Sequence, residues 1–342
     1  MNKSFLRAGS VLALSLVSTM GFAASACTQV NLYEEMRQAD PAAFAQIKAE
    51  ADATLNGQGL FWKISHEADP HVSWLFGTMH KSDPRVMDLP NNVHAALYGA
   101  TTYVGEMDSS TSGFDMGQII GASPELLFQQ NGEMLANSLD AETVSQIDKL
   151  MNERGSDFDQ INGMQPWFSV TALVLSMCDV EQGGDPNNFL DASLESQARQ
   201  NGAEIIGLET LRGQIESLNA IDEEFFFNSL EDAAAQHRAG VYDALLQTST
   251  ELYLDENVAV MLPLMLHYSD TLAGGKDEAM ESFQRELLDL RNQSMVANSL
   301  DSLESGSTFI AVGALHLLGE TGLVEGLRNE GYLVERVQLE RD

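Results

Sequence analysis

Strand-like runs stand at both ends of this 342-residue chain, with a long helical text between them, so any sheet it forms must be assembled from residues far apart in sequence. Near the start, residues 59–65 (GLFWKIS) and 73–79 (SWLFGTM) are rich in aromatic and aliphatic residues. They flank 66–70, whose Asp69-Pro70 is a turn signal, and the pair reads as a hairpin. Residues 91–99 have helical spacing with Asn91 as a cap, and 101–107 (TTYVGEM) read as a third strand. At the far end come 308–312 (TFIAV), a helix near 320–330 stopped by Gly331, and a last strand over 332–339. From 123 to 303 the apolar spacing is helical, with predicted helices from Pro166, over 190–200, 223–240, 242–255, 258–272 and 278–299. One β-like run, 204–208 (EIIGL), interrupts it. The expected fold is therefore α/β: a mixed β-sheet core built from the N- and C-terminal segments with a large helical insertion or cap.

Charge narrows the function. Eighteen Lys and Arg face 51 Asp and Glu, a net charge of −33, which repels polyanions and excludes nucleic acid as a partner. With 44% hydrophobic residues the chain still has enough apolar material for a full core. Residues 1–26 are of another kind: Lys3 and Arg7, an apolar run over 11–22, then Ala24-Ser25-Ala26. This is the pattern of a signal peptide that is removed on export across the inner membrane, leaving 27–342 as one periplasmic or extracellular domain without an integral membrane segment. The two cysteines, Cys27 and Cys178, are expected to form a disulfide in an oxidising compartment; acylation of Cys27 as a lipoprotein is the rival.

The sharpest local signal is a repeated strand ending. Phe76-Gly77-Thr78-Met79-His80 and Val312-Gly313-Ala314-Leu315-His316 each close a β-like run with Gly-x-x-His. The glycine permits a tight or positive-φ turn, and the histidine then projects from the strand's C-terminal edge, where ligands bind in open α/β sheets. Two such imidazoles suit one divalent metal. A third run ends Val104-Gly105-Glu106, which would add a carboxylate as ligand or as base toward a water on the metal.

These motifs, with 164–167 (MQPW), 206–214 (IGLETLRGQ), Arg291-Asn292 and the block FIAVGALHLLGETGLVEGLRNEGYLVERV, resemble the TraB/PrgY/GumN family, which is related to the Tiki proteins. The resemblance implies a fold of the erythromycin-esterase and ChaN-like group. It also implies a metal site of His80, His316 and Glu106, with Glu209 and Arg291 at further family positions, and a metalloprotease-like activity using Mn, Co or Zn. The expectation is a metal-dependent hydrolase acting on a peptide or small-molecule amide or ester. The alternatives are a non-catalytic protein that sequesters a peptide, haem or glycan, and an envelope scaffold. Arg291 is expected to hold a carboxylate or polarise a carbonyl.

Other residues read more plainly. Asp191 suits a helix cap or first turn, and Glu209 suits either a cap or a site role. Trp62, Trp74 and Trp167 read as core, and Met261, Met265, Met280 and Met295 as core filler. His66, His71, His94, His237 and His267 have no partner spacing, and Asp222-Glu223-Glu224 lacks the ligand pattern of a calcium loop.

Overall fold

The computed structural model describes residues 30–67, 69–173, 189–269, 271 and 278–341. The predicted leader, Cys27 and Cys178 lie outside the described residues, and with them the expected disulfide. The fold is α/β, with one six-stranded mixed sheet in the order β4-β3-β5-β2-β1-β6. Its strands are β1 (Phe61–His66), β2 (Asp69–Thr78), β3 (Thr102–Gly105), β4 (Glu204–Gly207), β5 (Thr308–Gly313) and β6 (Leu333–Arg336). The hairpin is β1 antiparallel to β2, with Asp69 and Pro70 opening β2 rather than forming the turn. The C-terminal β6 closes against β1.

The centre of the sheet is parallel. β2 and β3 flank β5, and β4 lies beyond β3, all in one direction. Thr78 is level with Gly313, and Gly105 with both Ala311 and Gly207. Four strands therefore end at one edge at nearly one height. The register is enforced by two-sided burial. Phe61, Phe76, Tyr103 and Phe309 pack on one face with Val93, Leu97, Leu190 and Leu194 from the helices Asn91–Gly99 and Leu190–Gln200. Trp62, Leu75, Val104, Ile310 and Val312 pack on the other with Met295, Val296 and Leu327 from Leu290–Ser305 and Leu323–Asn329. Each fully buried side chain of this size contributes about 1.5–3 kcal/mol, and a one-residue slip would turn all of them to the wrong face.

The remaining helices build cores of their own. Leu135, Ile147, Leu150 and Leu230 form one, and Ile119, Trp167, Ile215, Phe225, Phe226 and Met280 another. Trp62, Trp167, Met280 and Met295 are buried as expected, whereas Met265 is exposed. Asp222 caps the helix Glu223–Ala239. Two helices not assigned from sequence, Leu32–Ala39 and Pro41–Ala53, start at caps: Asn31 accepts from the Glu34 N–H and Asp40 from the Ala43 N–H, with Pro41 opening the second. The predicted helix over 258–272 is broken into a 3-10 turn at Val258–Val260 and the helix Met261–His267. Among the described residues no helix is long and apolar enough to cross a membrane.

The strand-end glycines act by closeness rather than by backbone sign. None of Gly77, Gly105, Gly207 and Gly313 has positive φ, so of the two turns expected at the Gly-x-x-His endings, tight or positive-φ, the second is not taken. A Cβ on Gly77 would stand 2.6 Å from Leu317 Cδ1 and 3.1 Å from Ala314 Cα, and one on Gly207 would stand 2.6 Å from the Asp108 backbone nitrogen. Glycine here lets the loop after one strand lie against the next. Gly207→Ala should therefore cost about 1–3 kcal/mol through overpacking, read as a lowered thermal midpoint; an unchanged midpoint would show that the Asp108 backbone yields freely.

Candidate functional site

Each of the four parallel strands delivers one ionisable side chain just past its end. His80 lies two residues beyond β2, Glu106 directly after β3, Glu209 two residues beyond β4, and His316 in the 3-10 turn Ala314–Leu317 that follows β5. From the other side, the helix Leu290–Ser305 presents Arg291 and Asn292 in its first turn, directly after a π-helical stretch, Gln284–Asp289. Gln214 comes from the helix Leu211–Ala220. Such wide turns occur often where a functional side chain must be re-aimed.

Glu106 is held at both oxygens. Oε1 accepts the Gly313 N–H at 2.7 Å, and Oε2 accepts from Arg291 Nη2 at 3.0 Å and from Gln214 Nε2 at 3.2 Å. Arg291 forks onto Glu209, with Nε at 3.0 and 3.1 Å from its two oxygens and Nη2 at 2.6 Å. Gln214 also reaches Glu209, at 3.2 Å. All three charged side chains are nine-tenths or nearly so removed from solvent. Burial works to raise the Glu106 carboxyl, but His316, His80, Arg291 and the Gly313 N–H outweigh it and hold the group below the usual carboxylate range. Oε1 is the freer oxygen, since only one hydrogen bond ends there, and His316 Nε2 stands 4.0 Å from it.

The two imidazoles are held alike but charged differently. His80 Nδ1 lies 2.8 Å from Asp191 Oδ2, and His316 Nδ1 lies 2.6 Å from Asn292 Oδ1. His80 keeps a side chain 65% exposed, and the charge of Asp191 raises its pKa to about 9. His316 is buried, and burial pushes it down to about 4, so it is neutral at physiological pH. Asp191 stays low: burial opposes ionisation, but His80 and the Thr78 hydroxyl, which donates to Oδ1, prevail.

Sequence reasoning anticipated five of these residues, and the fold brings His80, Glu106, Glu209, Arg291 and His316 to one edge. Two expectations are narrowed. The carboxylates that Arg291 holds are those of Glu106 and Glu209. Glu209 is not a cap, because Thr210 caps the next helix and Glu209 is free to pair with Arg291. Asp191 does sit in a first helical turn, yet its carboxylate faces His80. Asn292, Gln214 and Thr78 were not assigned contacts; their places within the quoted motifs, beside Arg291, at the end of 206–214 and before His80, were the available hints. The unassigned histidines stay away: His237 meets Gln146 and Glu153, and His94 stacks on Tyr98.

Among the described residues no three His, Cys, Asp or Glu side chains close on a point ready for a metal ion. The donor chemistry nevertheless fits one. Each Nδ1 faces an oxygen that only accepts, which leaves Nε2 as the lone-pair nitrogen of the neutral ring, and Glu106 Oε1 has capacity to spare. The 4.0 Å from His316 Nε2 to Glu106 Oε1 is wider than the about 3.3 Å that separates two ligands each about 2 Å from a tetrahedral ion. The set is open by less than an ångström on that side.

The profile of the TraB/PrgY/gumN family matches residues 60–336. Two zebrafish (Danio rerio) proteins are similar: Metalloprotease TIKI2, 24% identical over 318 residues, covering 80% of this chain and 60% of that protein, and Metalloprotease TIKI1, 25% identical over 315 residues, covering 80% and 62%. The chain thus spans about three-fifths of the length of these relatives. No solved structure matches.

The Arg291 fork has a measurable consequence. Arg291→Leu leaves two buried carboxylates without their cation, a loss of about 3–5 kcal/mol. Because the folded Glu106 pKa lies below its usual 4.5, the wild type keeps that group's stabilisation above pH 4.5 and loses it as pH falls through the lowered value. Denaturant titrations at pH 7 and in acid should show the variant far less stable at pH 7, with the gap narrowing in acid. A gap that is constant with pH would mean that Arg291 acts by packing alone.

Proposed function

The chain belongs to the TraB/PrgY/gumN family, and on that premise we propose that it is an exported, divalent-metal-dependent hydrolase acting on a peptide or another amide or ester bond. The observation that carries the reading is that His80, Glu106 and His316 stand just past the C-terminal ends of parallel strands of one sheet, with His316 Nε2 4.0 Å from Glu106 Oε1. The similarity to two proteins named metalloproteases supports the same class. In this reading residues 27–342 form one exported domain once the leader is removed.

His80 and His316 would hold the cation (Mn, Co or Zn) through Nε2, with Glu106 Oε1 as a third donor or as the base beside it. Such an ion supplies Lewis acidity, polarising a substrate carbonyl and making water more acidic. The chain's own groups prepare the rest. Glu106 is ionised at neutral pH, and where Oε1 does not ligate the ion it is the atom that would accept the proton of the attacking water. Arg291, Gln214 and the Gly313 N–H fix the direction of that carboxylate, and Glu209 fixes Arg291. His316 arrives neutral and needs no deprotonation, whereas His80 must release a proton before Nε2 can donate.

Two measurements test this. Metal analysis of the purified mature protein should find about one divalent ion or one rebinding site per chain, lost in His80→Ala and His316→Ala; a wild type that neither holds nor rebinds any divalent ion overturns the reading. Glu106→Gln should abolish peptide or ester hydrolysis. Retention of a peptide without turnover in the wild type would instead mark a sequestering protein. Because the proton on His80 competes with the ion up to about pH 9, affinity for Mn²⁺ should rise with pH from 6 to 9. Calorimetry over that range checks the slope, which His80→Ala should flatten.

A further inference from the structure

The partners of the two imidazoles differ in origin and charge, yet they do the same geometric work. Asp191 belongs to the first turn of the helix Leu190–Gln200, between β3 and β4, and Asn292 to the first turn of Leu290–Ser305, between β4 and β5. Each puts an oxygen within 2.8 Å of an Nδ1, and each is itself immobilised. Asp191 Oδ1 takes the Thr78 hydroxyl, and Asn292 is 1% exposed in the wall that Arg291 and Met295 also form. A carboxylate oxygen or an amide oxygen can only accept, so both rings must carry their proton on Nδ1.

We infer that Asp191 and Asn292 are positioning residues that lock His80 and His316 in the Nδ1–H tautomer, with both Nε2 atoms turned to the crevice beside Glu106 Oε1. The inference rests on the proposed cation site for its purpose, but its content is the state of the two rings. Histidine free in water favours the opposite tautomer modestly and rotates about its side-chain bonds; two independent acceptors on two helices remove both freedoms. The choice of partner also separates the rings. The buried His316 has an uncharged acceptor, which adds no further carboxylate beside Glu106 and Glu209, whereas the exposed His80 can take a charged one because solvent reaches it. Partners of this kind orient ligating histidines and strengthen them as donors.

Long-range ¹⁵N–¹H correlation spectra of the metal-free protein, labelled at its seven histidines, read the tautomer without any activity. His80→Ala and His316→Ala assign the two ring systems. In the wild type His316 should appear as a neutral ring protonated at Nδ1, and His80 should show the same pattern once titrated above pH 9. Asn292→Leu should convert His316 to a mixture or to the Nε2–H form and leave His80 unchanged; Asp191→Leu should do the converse. Asp191→Asn, which keeps an acceptor oxygen, should restore the Nδ1–H pattern. Thermal melts of each variant identify any that fails to fold, and the wild-type and Asp191→Asn spectra then decide alone. With Mn²⁺ as probe, each Leu variant should bind about 10- to 100-fold more weakly than wild type, and Asp191→Asn should recover part of the loss. A wild-type Nε2–H ring at either position, or folded Leu variants with unaltered tautomers, would overturn the inference. Absence of Mn²⁺, Co²⁺ or Zn²⁺ binding by the wild type would instead overturn the cation site, with the spectra still deciding the tautomers.

Discussion

Parallel pairing of β2 with β5 is the contact on which the rest depends. It sets Thr78 level with Gly313, although about 230 residues of chain separate them, and so converts two distant Gly-x-x-His endings into neighbours. Neither ending has chemical meaning alone, because an imidazole at one strand terminus is only a surface histidine. The loop-closure cost of bringing such segments together grows slowly with length, by roughly 0.6 kcal/mol per doubling. It is offset by burial on both faces of the central strands, where Phe76, Phe309, Ile310 and Val312 are almost wholly removed from water. The insertion could therefore be long without weakening the sheet.

A second constraint follows from where that edge lies. Glu106 is buried, and an isolated buried carboxylate would take up a proton rather than stay charged. The strand ends contribute acids and imidazoles, and of the two imidazoles only His80, which Asp191 engages, is charged at neutral pH. The helical insertion adds a second cation by threading Arg291 between Glu106 and Glu209. The pair of carboxylates around one guanidinium leaves a net negative charge in the crevice, and Gln214 spans both without adding charge. That residual charge makes the crevice suited to a cation and raises the cost of placing an anionic substrate group there. The carboxylates that Arg291 holds are the chain's own, and in holding them it helps keep Glu106 ionised.

Legibility in the sequence tracked the range of the interaction. The strands, the hairpin and the interrupted helical insertion were readable because hydrophobic period and turn residues are local, and His80, Glu106 and His316 were readable because each ends a local β pattern. What could not be read depended on a second element. Asp191 has the sequence context of a first-turn acid, and it is one; that its carboxylate faces His80 follows from the packing of Leu190 and Leu194 onto the sheet. Gln214 and Asn292 are ordinary helical polar residues until the helices are placed. Residues 32–53 were missed for another reason: the helix Pro41–Ala53 is too rich in alanine for its apolar face to stand out, and its start is marked by a cap rather than a stripe.

The strand-end glycines show how two demands settle on one position. Glycine was expected there for its backbone freedom, yet all four adopt ordinary negative φ or extended values. What they supply is missing volume. At Gly313 a Cβ would come within 3.2 Å of Glu106 Oε1, the oxygen that its own N–H holds at 2.7 Å. A side chain would push the carboxylate away from the donor that orients it, and at Gly77 it would displace Leu317 and Ala314, which carry the His316 turn. Gly77 and Gly313 thus serve a neighbouring strand's functional group as well as the loop that follows them in sequence. That cross-strand dependence ties the Gly77 ending to the His316 turn and the Gly313 ending to Glu106, so a change at either glycine reaches a functional group of the strand beside it.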